Sequence, residues 1–137
     1  MTTHPPRTAA TAGLAYVAIA FAAGFALGVL RVTLIAPRLS ETAAVLIELP
    51  IMLALSWLAC RWIIARWHVP ATIVARATMG GLALALLLAA EAVLGTLGLG
   101  RTLAEHLASY QDLPERFGLA AQVLFGLFPL LQLRSPD

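Results

Sequence analysis

Apolar residues run along this chain in four long blocks separated by short polar joints, and the blocks are too continuous to be single faces of soluble helices. They cover about Ala12 to Leu30, Ala43 to Cys60, Ala77 to Gly100 and Phe117 to Leu133. Each approaches the roughly 20 apolar residues that a helix needs to cross a bilayer's hydrocarbon core. The pattern predicts an all-α protein: an integral membrane bundle of four transmembrane helices, forming a single transmembrane domain over residues 1–137. The fourth block is the shortest and is interrupted by Gln122 and Pro129.

The joints carry recognisable start and stop chemistry. Pro37 lies in the first joint, Arg31 to Ser40, and stops the helix before it; Ser40 is a good N-cap with Glu41 favourably placed in the next first turn. His68-Val-Pro70 makes the second joint. In the third, Thr102-Leu-Ala-Glu105 fits a capping box that opens a short helix with Leu103, Leu107 and Tyr110 on one side, which predicts an interfacial helix between the third and fourth spans. Asp112-Leu-Pro-Glu115 then signals the start of the last span. Within the second block Pro50 cannot donate to the carbonyl of Leu46, so a kink is expected there. Trp57, Trp62 and Trp67, with Arg61 and Arg66, read as an aromatic and basic belt at that block's far end, with Arg61 snorkelling.

Composition sharpens the class. The chain is 61% hydrophobic and 12% charged, with a mean hydropathy of +0.88, so little of its surface suits water. A cleaved signal peptide is the rival reading of the first block, but that run exceeds the usual signal core of roughly 7–15 apolar residues and points to a retained helix. All nine basic residues are arginines, set singly at the edges of apolar runs. A clustered basic face is missing, so nucleic acid is not an expected partner despite a pI near 9.3.

Cys60 stands alone and reads as a small buried apolar residue, without a disulfide or a CxxC or Cys/His zinc site. His4, His68 and His106 are scattered, without a second ligand at i+3 or i+4, and read as solvated or interfacial. The sequence contains no HExxH, GxSxG or phosphate-binding glycine loop, and Ser56 and Cys60, one turn apart, have no neighbouring base. Catalysis and a bound cofactor are therefore not expected.

Two features remain as candidate sites. Gly24-Phe-Ala-Leu-Gly28 is a GxxxG that leaves one helix face flat, a candidate packing face for another helix, a second copy of the chain or a partner membrane protein in the bilayer. The other feature is polar. Counting 1.5 Å per residue from the end shared by the first and third joints, Glu48 lies about 7–9 Å deep, Glu91 roughly 10–13 Å and Gln122 about 7–8 Å. Arg31 closes the first block at the same end, so Arg31, Glu48, Glu91 and Gln122 form a candidate intramembrane polar layer. Glu91 shares a face with Gly80, Gly95 and Gly98, which turns it toward protein. A carboxylate at a helix centre costs about 2.5–3.5 kcal/mol on insertion scales, so partners are required. Arg31 can pair with one carboxylate while the other, protonated, donates to Gln122 or the Leu46 carbonyl; the same pair can instead carry protons or bind a cation or polar ligand.

An even number of spans puts both termini on one side. Arg7, Arg61, Arg66, Arg76 and Arg134 lie on that side against Arg31, Arg38, Arg101 and Arg116 on the other, which favours cytoplasmic termini. The runs Gly28-Val-Leu-Arg31, Ala36-Pro-Arg-Leu-Ser-Glu41 and Glu48-Leu-Pro-Ile-Met52 resemble an uncharacterised family of small four-span bacterial inner-membrane proteins. The resemblance implies an inner (plasma) membrane location and supplies no activity. The expected role is a structural or accessory membrane component; the alternative is a small proton- or ion-coupled transporter or channel subunit using Glu48 and Glu91.

Overall fold

The computed structural model describes residues 5–35, 38–98 and 100–134. His4 and Pro37 lie outside the described residues, as do the side chains of Glu41 and Arg134. The described chain is all-helical, with no strand among the described residues. Helix α1 covers Pro5–Leu30, α2 Glu41–Trp67, α3 Ile73–Val93, α4 Leu103–Ser109 and α5 Leu113–Leu131. Two helices, α1 and α2, run past the end of their apolar blocks. Arg31–Ile35 continues α1 as a turn of π-helix instead of opening the joint, whereas the π turn Leu94–Gly98 that continues α3 lies inside the predicted block. Helix α2 runs past Cys60 to Trp67, because Arg61 and Arg66 extend the helix without interrupting its hydrogen bonding.

Local chemistry accounts for most boundaries. Ser40 accepts from the Ala43 amide and Thr72 from the Ala75 amide, each satisfying a first-turn donor. His68 ends α2 in the left-handed region at φ 51°. The predicted capping box is present in both directions, Thr102 accepting from the Glu105 amide while the Glu105 carboxylate accepts from the Thr102 amide. Gly100, at φ +71°, makes the turn before it, a conformation that costs glycine little. α2 continues through Pro50 without a break in its helix.

Three helical stretches, Arg7–Leu34, Thr42–Trp67 and Ile73–Gly98, are long and apolar enough to cross a membrane. Their outward faces carry exposed Leu14, Leu58, Trp62, Ile73 and Val74. In water such apolar exposure would drive association; in hydrocarbon it has no cost.

The four long helices make a square bundle in which α1 and α5 are each flanked by α2 and α3. One end is tightly packed. There Ala9, Ala12 and Tyr16 of α1, Cys60 and Ile63 of α2, Met79 and Ala83 of α3, and Phe125 and Phe128 of α5 form a single buried cluster. Glycines let the backbones meet. A Cβ on Gly80 would lie 1.9 Å from the Gly126 carbonyl oxygen of α5, and one on Gly13 would lie 2.9 Å from the Met79 carbonyl oxygen of α3.

Candidate functional site

The opposite end of the bundle, where α1 and α3 finish in π turns and α2 and α5 begin, is open. The chain directions fix which polar groups reach it: the ends of α1 and α3 bring Arg31 and Glu91, while Glu48 stands seven residues after the start of α2 and Gln122 at the middle of α5. The structure joins these four in two pairs. Arg31 Nη1 donates to Glu48 Oε2 at 2.7 Å, linking α1 to α2, and the side chains retain 33% and 14% exposure. The Gln122 side-chain amide donates to Glu91 Oε1, linking α5 to α3. The donor here is the amide, so this contact does not require a proton on Glu91.

Between the two pairs lies a cavity of about 720 Å³, lined by Arg31, Glu48, Glu91 and Gln122 together with apolar side chains that include Phe21, Phe25, Leu49 and Met52. Its inner end is closed by Ala20 and by Phe125, whose ring stacks on Tyr16 with centroids 4.0 Å apart. The two candidate packing glycines also face this space. A Cβ on Gly24 would meet only the Met52 methyl at 3.7 Å, and a Cβ on Gly28 would meet nothing within 4 Å. Within the chain, the flat face therefore supplies room in the cavity, and the close helix approaches fall at Gly13, Gly80 and Gly126 instead. No family model, curated protein or solved structure matches this chain.

A third carboxylate also lines the cavity. Glu115, which the sequence reading uses only as part of a helix start, lies on the same α5 face as Gly118, Leu119 and Gln122, two turns nearer the open end. Its Oε2 is buried without a hydrogen-bond partner, as is Gln122 Oε1. Among the described residues the charged lining consists of one guanidinium and three carboxylates.

Tyr110, at the end of α4, completes the rim. Burial, reinforced by the nearby Glu91 carboxylate, raises the Tyr110 phenol above its ordinary pKa, so the phenol stays neutral at neutral pH. Its hydroxyl sits 3.4 Å from His106 Nε2. His106 is buried, not solvated or interfacial as expected, because Gly95 in the π turn of α3 lets the imidazole press against the backbone. A Cβ at Gly95 would lie 2.6 Å from His106 Nδ1. This contact seats α4 beside the end of α3, leaving Leu103 and Leu107 exposed on its outer side.

Sequence reasoning also leaves out a set of bonds at the packed end. Arg76 is buried and donates from Nη1 to the Pro129 carbonyl at 3.1 Å and from Nε to the Pro70 carbonyl at 3.2 Å. Gln132 donates to the Trp57 carbonyl at 3.0 Å. The Tyr16 hydroxyl donates to the Phe125 carbonyl at 2.7 Å. The signal for the last was present in the sequence, since Pro129 denies Phe125 its helical donor, but the identity of the replacement donor was not. Cys60 is buried in the core, as expected. Among the described residues, no three of His, Cys, Asp and Glu are grouped to hold a metal ion.

Proposed function

We propose that this is a four-span membrane protein whose polar layer serves a chamber that holds a small solute in one membrane half. The cavity carries the reading: a layer with a purely structural role would be closed over by side chains, whereas Arg31, Glu48, Glu91 and Gln122 border about 720 Å³ of unfilled space. Such a chamber suits a solute-binding component or a subunit of a small transporter or channel, with Glu48 and Glu91 as its ionisable groups.

The fourth crossing is supported by packing. α5 is shorter and more polar at its start than the other three, but it is wedged between α2 and α3, and its nineteen residues extend about 28 Å, close to a hydrocarbon thickness of about 30 Å. In this arrangement α4 lies at the interface with Leu103 and Leu107 toward lipid, and both termini face the cytoplasm from an inner membrane. Reporter fusions at residue 137 and between Ser109 and Asp112 should report opposite compartments; the same compartment for both would remove the fourth crossing.

The second reading, a structural or accessory component, is favoured by the fact that Glu48 and Glu91 each have a partner within the chain. Thermal stabilisation of the purified protein by a panel of cationic, neutral and anionic small solutes separates the two. The chamber reading expects at least one class to stabilise the protein and the Gly28→Leu variant to lose that response. A flat response across the panel would leave the structural reading.

A further inference from the structure

The chamber reading says that something is held, and the lining narrows its chemistry. Arg31 is committed to Glu48, so the one guanidinium that lines the cavity among the described residues is already neutralised. That leaves Glu91 and Glu115 to set the charge. Both buried polar atoms of the lining that lack a partner, Glu115 Oε2 and Gln122 Oε1, are acceptors. An occupant that satisfies them must bring donors, and an anion would add to the carboxylate charge it met.

The remainder of the wall is apolar and aromatic. Phe21, Phe25 and Phe125 line it, and ring faces attract a cation. A bare metal ion suits this surface poorly: among the described residues no three of His, Cys, Asp and Glu are grouped to hold one, and it would leave the aromatic wall unfilled. A volume of about 720 Å³ lies in the range of roughly 300–1,000 Å³ that accommodates drug-sized organic molecules.

We propose that the chamber binds a protonated organic amine with an apolar body, its ammonium group donating to Glu115 and its body lying against Phe21, Phe25 and Met52. This rests on the chamber reading above and adds the charge and donor character of the ligand. Gly24 and Gly28 act by leaving the space for that body.

The test uses three probes of one shape: 4-phenylbutylammonium, 4-phenylbutanol and 4-phenylbutyrate. Binding to the full chain in nanodiscs is measured at neutral pH, above the partition of each probe into protein-free nanodiscs. The ammonium should bind at least about tenfold more tightly than the alcohol, with no saturable binding of the carboxylate. Glu115→Gln should weaken the ammonium by about tenfold or more and leave the alcohol unchanged, with helicity and elution volume as controls for folding. Gly28→Leu, whose Cβ meets nothing within 4 Å, should weaken both the ammonium and the alcohol. Equal affinity for alcohol and ammonium, with Gly28→Leu still weakening both, would overturn the amine assignment and leave the chamber. Absence of saturable binding for all three would overturn the amine assignment and the chamber together.

Discussion

The Tyr16 hydroxyl donates to the Phe125 carbonyl across the diagonal of the bundle, replacing the backbone donor that Pro129 removes from α5. A proline in a helix normally leaves an orphan acceptor, and in an apolar setting that orphan is costly. Here α1 supplies the missing donor, and the stacking of the two rings fixes the spacing at which it can do so.

Tyr16→Phe should therefore cost about 1–2 kcal/mol, since it strips the partner from a buried carbonyl while keeping the ring. In a Pro129→Ala background the same change should cost less, because the alanine amide restores the backbone donor to Phe125. Denaturation of the four proteins of this cycle in detergent measures the coupling; additive losses would mean that the hydroxyl is not satisfying the proline's orphan.

The ion pair at the open end makes a narrower prediction. Arg31→Ala should destabilise by about 1–2 kcal/mol, between the values for exposed and fully buried pairs, in keeping with the partial exposure of both side chains. Adding Glu48→Gln should recover part of that loss. Adding Glu91→Gln should not, because Glu91 is held by Gln122 and the two effects should add within about 0.5 kcal/mol. Unfolding curves for the single and double variants decide the pairing.

Two adjacent glycines should respond in opposite directions. Gly80→Ala places a methyl group against the Gly126 carbonyl, a backbone atom that cannot step aside, so α3 and α5 must separate and stability should fall by about 1–3 kcal/mol or more. Gly81→Ala meets nothing within 4 Å and should stabilise by about 0.5–1 kcal/mol through lower chain entropy and better helix propensity. Melting temperatures of the two variants check the sign of each.

Gly95→Ala should displace the His106 ring and loosen the seat of α4. The core of the packed end lies far from this contact, so the effect should be local: amide exchange across Leu103–Ser109 should accelerate about tenfold, with little change around Met79 and Ile63. Uniform acceleration would show that α4 is coupled to the whole bundle.

The sequence points to Arg31, Glu48, Glu91 and Gln122 because depth along a helix follows from counting residues, and carboxylates in apolar runs are conspicuous. Counting brought Arg31, Glu48, Glu91 and Gln122 to one level and required each carboxylate to find a partner. It did not say which partner, since that depends on which helices sit side by side, and the order of α2, α5 and α3 around the bundle is a tertiary property. Glu115 was overlooked because a carboxylate in a helix's first turn has an ordinary local explanation. In sequence Arg76 is a marker of sidedness, and nothing in its sequence neighbours reveals that its guanidinium is drawn onto the carbonyls of Pro70 and Pro129. The π turns were invisible for a different reason: they preserve the apolar character of the helix while changing only its winding.

The contrast between the two ends of the bundle bears on how such a chain can change over generations. Where Tyr16, Met79, Gly80 and Phe125 interlock, almost any substitution disturbs two neighbours at once, and that half is bound to be conservative. The walls around Phe25, Gly28 and Met52 border empty space and can be exchanged for larger or smaller residues without unseating the helices. Descendants of this protein would keep one half as an anchor of inherited shape and let the lining of the other drift.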